Sequence, residues 1–84
     1  MALKRSKETV IADILEFCVV GASKTRIVYQ TNMNFKTASF YINELARKGL
    51  LQVLNGDMTV YKTTDRGREI LSGLKRIQKE ISPL

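Results

Sequence analysis

The sequence contains no histidine and no tryptophan, and it has a single cysteine, Cys18, and a single proline, Pro83. Without histidine the chain lacks the commonest general base and the commonest metal ligand. Its eight scattered carboxylates form no metal-binding or catalytic-triad spacing, so we expect no cofactor, no metal site and no enzymatic activity. One cysteine cannot form an internal disulfide, which favours a reducing, cytoplasmic location.

Long apolar runs are also missing. The longest, Phe17 to Val20, is far shorter than the ~20 residues that cross a bilayer. The basic residues near the N-terminus (Lys4, Arg5 and Lys7) are not followed by the apolar region of a signal peptide. We therefore expect neither a membrane span nor a secretory leader. Apolar residues at 44% and charged residues at 26% of 84 positions are typical of one globular domain.

Basic residues outnumber acidic residues by 14 to 8, which gives a formal net charge of +6. A small basic domain without catalytic residues is typical of nucleic-acid-binding proteins. The same charge would also suit an acidic protein or an anionic lipid surface. Composition alone therefore leaves the class of partner open.

Apolar residues at helical spacing predict two helices before residue 31. The first runs from about Ser6, its N-cap, to Val19 and ends before Gly21. The second covers about Lys24 to Gln30 after the cap Ser23, with Ile27 and Val28 as its core residues. The apolar face predicted for the first helix consists of Val10, Ile11, Ile14, Leu15, Phe17 and Cys18.

A third helix follows a polar turn at residues 31–34. Asn34 is its predicted N-cap, and the helix runs from about Phe35 to Lys48. Gly49 is placed to adopt the left-handed conformation that ends many helices. Spacings of four and three residues predict one inward-facing stripe, formed by Ala38, Ile42 and Leu45.

A β-hairpin is predicted next, with strands Leu50 to Leu54 and Met58 to Thr63 around Asn55-Gly56. Asn-Gly is the strongest short signal for a two-residue hairpin loop. Such a loop pairs Val53 with Met58 and Leu51 with Val60. Both faces carry apolar residues, so the sequence does not show which face is buried.

The last helix begins after the cap Thr64 and ends before Pro83. The predicted organisation is a basic arm at 1–5, a core at 6–64 and a terminal helix at 65–84. An apolar seam with spacings of four, three and four residues is formed by Ile70, Leu74, Ile77 and Ile81.

This element order predicts a mainly α (α+β) fold, a winged helix-turn-helix with a two-stranded wing and an extended C-terminal helix. Over about residues 8–72 the chain resembles the small archaeal winged-helix family typified by a regulator of archaellum expression. The fragments that carry this resemblance are Lys24-Thr25-Arg26-Ile27, Phe35-Lys36, Leu45 to Leu50 and Tyr61-Lys62-Thr63-Thr64. The last helix is also similar to that of small archaeal DNA-binding proteins that dimerise through an antiparallel coiled coil. The resemblance implies double-stranded DNA binding without a cofactor or catalysis.

In a helix-turn-helix the second helix of the motif, here the third of the chain, lies in the major groove. Lys36 can donate to phosphate or guanine, Asn43 can pair with adenine, and Phe40 can touch a thymine methyl group. Phe35 can instead pack beneath the turn. The alternative to a DNA-reading face is an ordinary solvated helix face. The residues predicted to face outward are Lys36, Thr37, Ser39, Phe40 and Asn43.

Other segments supply candidate phosphate contacts. Lys24, Thr25 and Arg26 begin the second helix, which crosses the DNA backbone in this motif. The arm with Lys4, Arg5 and Lys7 is either a groove contact or a mobile tail. The wing departs from the DNA-binding pattern because residues 50–61 contain no lysine or arginine and carry Asp57.

The apolar seam of the last helix predicts a homodimer in which the first helix shares the interface. The alternative is that this helix packs back on its own domain, but beyond Leu74 we expect little of the domain left to cover it. Ile70 and Leu71 are expected to contact the first helix. Cys18 is predicted to be a core residue. Half-buried packing is predicted for Tyr29, Tyr41 and Tyr61.

The favoured function is a homodimeric transcriptional regulator that binds specific double-stranded DNA. Within that class a chromatin-like architectural protein is an alternative. A different class, a winged-helix module that binds an acidic protein, is slightly favoured by the uncharged wing.

Overall fold

The computed structural model describes residues 6–81 and shows four helices and one two-stranded antiparallel sheet in that range. This confirms the mainly α winged-helix fold class. The arm residues Lys4 and Arg5 and the terminal Pro83 lie outside the described residues. The elements are α1 (Lys7–Phe17), a 3₁₀ turn (Cys18–Val20), α2 (Lys24–Thr31), α3 (Phe35–Arg47), β1 (Leu51–Leu54), β2 (Val60–Thr63) and α4 (Asp65–Ile81).

Short polar side chains determine where the helices begin. Each cap accepts a hydrogen bond from the backbone N–H three residues later, at distances between 2.7 and 3.3 Å. These bonds satisfy N–H groups that have no partner within the helix. Positive φ angles at Asn32 (56°) and Gly49 (78°) follow the ends of α2 and α3. All four predicted caps are confirmed: Ser6, Ser23, Asn34 and Thr64.

The core lies where α1, α2 and α3 meet beneath the sheet. The predicted inward stripe of α3, Ala38, Ile42 and Leu45, is buried. Leu71 of α4 joins the same cluster. Burial of each large aliphatic side chain contributes about 1.5–3 kcal/mol relative to exposure. The largest side chains with no solvent exposure are Ile14, Leu15, Cys18, Ile27 and Ile42.

The predicted hairpin register is wrong. Leu51 lies opposite Thr63, and Val53 lies opposite Tyr61, which displaces the pairing by three residues along β2. The loop is longer than the Asn-Gly signal indicated, because β1 ends at Leu54 and β2 begins only at Val60. The buried face, which the sequence left open, carries Leu51 and Thr63.

Contacts outside the hairpin explain this register. Tyr61 exchanges two backbone hydrogen bonds with Ala22, at 2.8 and 3.0 Å, and Thr63 is buried against α1. Because strand faces alternate, pairing Leu51 with Val60 would turn Leu51 away from the side that Thr63 occupies. The observed register keeps both Leu51 and Thr63 in the interior.

The last helix packs along α1 for much of its length. Leu71 is buried in the core, whereas Ile70 is exposed. Beyond Leu74, the Lys75 ammonium reaches the Glu16 carboxylate at 3.0 Å, and Gln78 donates to the Thr9 hydroxyl at 3.3 Å. The second half of this helix thus makes two polar contacts with α1, while Ile77 and Ile81 stay exposed, as the sequence predicted for the region beyond Leu74.

Candidate nucleic-acid interface

The face of α3 that points away from the core is exposed and polar with one aromatic residue. Of the five residues predicted to face outward, Lys36, Thr37, Phe40 and Asn43 are exposed, but Ser39 is half-buried. Ser39 lies on the flank of this exposed face. The stripe directly opposite the core, at spacings of four, three and four residues, is Lys36, Phe40, Asn43 and Arg47.

Phe40 occupies the middle of this stripe and is 60% exposed. Its ring meets the half-buried ring of Tyr41 edge-on, with centroids 5.8 Å apart and planes at 80°. This is a favoured aromatic geometry, so Tyr41 supports the exposed ring. An apolar ring surrounded by polar side chains is available to a ligand that presents apolar groups.

The junction between α2 and α3 is held by a cation over an aromatic ring. Phe35 is 55% exposed, which contradicts the alternative that it packs beneath the turn. The Lys24 Nζ atom lies 5.7 Å from the centroid of the Phe35 ring. This contact brings the first residue of α2 beside the first residue of α3.

The other predicted residues of α2, Thr25 and Arg26, are exposed. The Arg26 guanidinium lies 5.8 Å from the centroid of the Phe17 ring. Tyr29, one turn further along, is 88% exposed, so its predicted half-buried packing is wrong. Tyr41 and Tyr61 are half-buried as predicted.

Sequence reasoning missed Arg47 and Glu44, which form an ion pair on α3. Arg47 donates from Nη2 to Glu44 Oε1 at 2.7 Å and from Nε to Oε2 at 3.3 Å. The hydrogen bond from Arg47, together with the charges of Arg47, Lys48 and Lys7, holds the pKa of Glu44 below its ordinary value. The signal that could have found Arg47 is its spacing, which continues that of Lys36, Phe40 and Asn43.

The wing carries apolar side chains near its tip in place of cations. Val53, Leu54 and Met58 are exposed, and Asp57 is the charged residue of the loop. A wing that enters the minor groove usually brings a cation to it. The tip of the wing, residues 54–59, therefore offers no lysine or arginine to DNA, and the nearest cation of the wing is the exposed Lys62 of β2.

A second apolar surface lies on α4. Ile77 and Ile81 are each 55% exposed, Ile70 is also exposed, and Leu74 is half-buried. Ile77 and Ile81 line a cleft with the beginning of α1, where Thr9 faces them. The predicted seam is thus available for contact along the outer side of α4.

Cys18 is fully buried, which confirms its predicted place in the core. Burial raises the pKa of its thiol to about 12, so the reactive thiolate is disfavoured. In the part of the chain that the structure describes, no three potential metal-binding side chains come together. No helix within residues 6–81 has both the length and the apolar content needed to cross a membrane.

Residues 4–82 match the sequence profile of the winged helix-turn-helix family, and the chain belongs to that family. Among curated proteins no sequence matches it. The crystal structure of Sso10a-2, a DNA-binding protein from Sulfolobus solfataricus, is similar with a TM-score of 0.86 and 24% identity. That match covers 94% of this chain and 84% of Sso10a-2.

Two transcriptional regulators also share the fold. Sco5413, a MarR family regulator from Streptomyces coelicolor, has a TM-score of 0.78 and 17% identity, and 86% of this chain is covered. BldR from Sulfolobus solfataricus has a TM-score of 0.74 and 14% identity, and 89% of this chain is covered. The chain spans only 54% of Sco5413 and 61% of BldR. These likenesses establish the winged-helix fold.

Proposed function

We propose that the protein is a homodimeric transcriptional regulator that binds double-stranded DNA with α3 in the major groove. The observation that carries the proposal is the exposed stripe of α3 opposite the core, which combines two cations, an amide and an aromatic ring. In a helix-turn-helix this face of the second helix meets base edges. The stripe consists of Lys36, Phe40, Asn43 and Arg47.

Each predicted residue has a role in this arrangement. Asn43 pairs with adenine, Lys36 donates to guanine or phosphate, and Phe40 contacts a thymine methyl group. Thr37 and the flanking Ser39 bond phosphates or base edges. The beginning of α2 contacts the DNA backbone and sets the position of α3. Those backbone contacts come from Lys24, Thr25 and Arg26.

Dimerisation through α4 is part of the proposal. Ile77 and Ile81 are exposed, and α1 lies beside them. A second copy that covers this surface would bury apolar area that water otherwise contacts. Two copies carry a formal charge of twice +6, which suits the charge of two neighbouring major grooves. Similarity to Sso10a-2, described as a DNA-binding protein, also supports the proposal.

Two other functions are each supported by an observation. A chromatin-like architectural role fits the small size and high basic charge of the chain. A protein-binding role is favoured by the tip of the wing, which lacks cations and exposes Val53, Leu54 and Met58. A regulator protects discrete sites in a footprint on genomic DNA, whereas an architectural protein protects DNA continuously.

A salt titration tests DNA binding against protein binding. If each dimer neutralises ~6 phosphates, log K falls with log salt at a slope near −5. An electrophoretic shift against random and genomic duplexes supplies the affinities. Absence of binding at low salt, or a slope near zero, would contradict the proposed function and favour an acidic protein partner.

Site selection from random oligonucleotides tests the assignment of residues. Asn43→Ala should lose discrimination at one base pair by about 1–3 kcal/mol. Arg26→Ala should weaken binding to all DNA sequences about equally and make the slope of log K against log salt shallower by ~1. If variants of Lys36, Ser39 and Asn43 fold normally and select the same sites, α3 is not the reading element.

A further inference from the structure

Cations from two helices surround one carboxylate beside the proposed DNA-reading stripe. Glu44 accepts two hydrogen bonds from Arg47, at 2.7 and 3.3 Å. Lys7 from the first turn of α1 and Lys48 from the end of α3 line the same small cleft as Glu44. The cleft also contains Phe40, so it adjoins the middle of the stripe.

The geometry of this cluster suits a phosphate as well as a carboxylate. A guanidinium binds either anion through two parallel N–H groups, and lysine ammonium groups add charge without a fixed direction. Arg47 is exposed and Glu44 is half-buried at the surface. Because surface ion pairs are weak, a phosphate that arrives from solution can displace the carboxylate.

We propose that Lys7, Arg47 and Lys48 form a binding site for one DNA backbone phosphate, in which Glu44 occupies the anion position in the free protein and opposes phosphate binding. This inference rests on the proposed function, because it requires duplex DNA to dock on α3. Glu44 then weakens the contact with the backbone phosphate, which carries no sequence information, and leaves the contacts between Asn43 and the bases unchanged. Its effect is a higher ratio of specific to non-specific affinity.

The charge state of Glu44 is consistent with this role. The hydrogen bond from Arg47 is the main cause of its lowered pKa, and the charges of Lys48 and Lys7 contribute. Glu44 therefore remains an anion at neutral pH. A neutral isostere at this position removes the competitor and leaves the three cations in place.

The first test compares Glu44→Gln with Glu16→Gln. Both variants change the charge by the same amount and remove an ion pair, but Glu16 bonds Lys75 on α4. Binding of a random-sequence duplex is measured by fluorescence anisotropy over a salt series. Glu44→Gln should raise affinity about fivefold more than Glu16→Gln and steepen the salt slope by ~1 for each added phosphate contact. Equal gains from the two variants would overturn the inference, because net charge alone would explain them.

A second test introduces Arg47→Ala into the unaltered protein and into the Glu44→Gln variant. The substitution should cost less than about twofold in affinity when Glu44 is present, because Arg47 is already engaged. In the Glu44→Gln background it should cost about fivefold. Equal losses in the two backgrounds would show that Glu44 does not compete for Arg47 and would overturn the inference.

A third test uses inorganic phosphate in place of DNA. Backbone amide shifts of Lys7, Arg47 and Lys48 are followed by NMR, and they should saturate at lower phosphate concentration in Glu44→Gln than in the unaltered protein. If these shifts are absent while the protein binds DNA, the phosphate site is wrong and the proposed function stands. If they appear while no variant binds DNA at low salt, the anion site is supported and the proposed function fails.

Discussion

The Thr63 hydroxyl donates a hydrogen bond to the backbone carbonyl of Leu15 at 2.6 Å, across 48 positions of sequence. Both residues are buried, so this bond joins the end of the wing to the last turn of α1 away from solvent. It lies next to the start of α4, and it therefore connects the wing, α1 and the terminal helix at one point.

Thr63→Val should lower the free energy of unfolding by about 1–2 kcal/mol. The isosteric change fills the same space but removes the donor to a buried carbonyl. Urea denaturation measures the effect. Thr59→Val makes the same chemical change in the exposed loop and should stay within about 0.5 kcal/mol of the original. If Thr63→Val and Thr59→Val have the same free energy of unfolding, the hydrogen bond to Leu15 contributes no stability.

The two glycines of α4 should respond to alanine in opposite directions. A Cβ at Gly67 would overlap the Leu50 carbonyl oxygen and come within 2.7 Å of Thr63 Cγ2, whereas at Gly73 it meets nothing within 4 Å. Gly67→Ala should cost about 1–3 kcal/mol because backbone atoms must shift. Gly73→Ala should add about 0.5–1 kcal/mol by restricting the unfolded chain. Thermal unfolding of the two variants compares them directly, and a stable Gly67→Ala protein would contradict the packing described.

Cys18 should resist thiol reagents in the native protein. Burial raises its pKa from 9.0 to about 12, so the folded thiol remains protonated where an unfolded thiol ionises. A raised folded pKa gives stability that is complete below pH 9 and declines as pH rises toward 12. Labelling at pH 8 should be slow in buffer and fast in urea, and rapid labelling of the folded chain would show that the core around Cys18 opens.

Ile77→Glu combined with Ile81→Glu should convert a dimer to a monomer. Both residues are exposed, so the substitutions leave the core intact, and charges at the seam repel across a symmetric interface. Sedimentation at tens of micromolar measures the state, and circular dichroism checks folding. Ser72→Glu, on the opposite side of α4, is the matched control and should remain dimeric. If the unaltered protein is already monomeric at that concentration, dimerisation through α4 is wrong.

Phe40 should make binding sensitive to thymine methyl groups in the selected site. Replacing one contacted thymine with deoxyuridine removes a methyl group worth about 0.8 kcal/mol when buried, or roughly a fourfold loss of affinity. Phe40→Ala should abolish this penalty, whereas Asn43→Ala should retain it. A deoxyuridine scan over the whole site gives the measurement. If no position shows a penalty that depends on Phe40, the ring does not contact a methyl group.

Local sequence determined most of the helices. Each helix begins where the side-chain oxygen of its cap accepts a hydrogen bond from the N–H three residues later. Because donor and acceptor are so close in sequence, the local sequence alone predicts the caps Ser6, Ser23, Asn34 and Thr64. The inward stripe of α3 is equally local, because helical periodicity alone puts Ala38, Ile42 and Leu45 on one side. The outward face of α3 follows from the same periodicity.

Only the tertiary structure decided the wing register and the surroundings of the exposed charges. Asn55-Gly56 favours a tight turn, but Tyr61 bonds Ala22 and Thr63 bonds Leu15, and these distant partners outweigh the turn preference. The cluster at Glu44 depends on Lys7, which is brought near by the packing of α1 beside α3. Such contacts join residues far apart in sequence, so no local pattern encodes them, and the folded core alone brings them together.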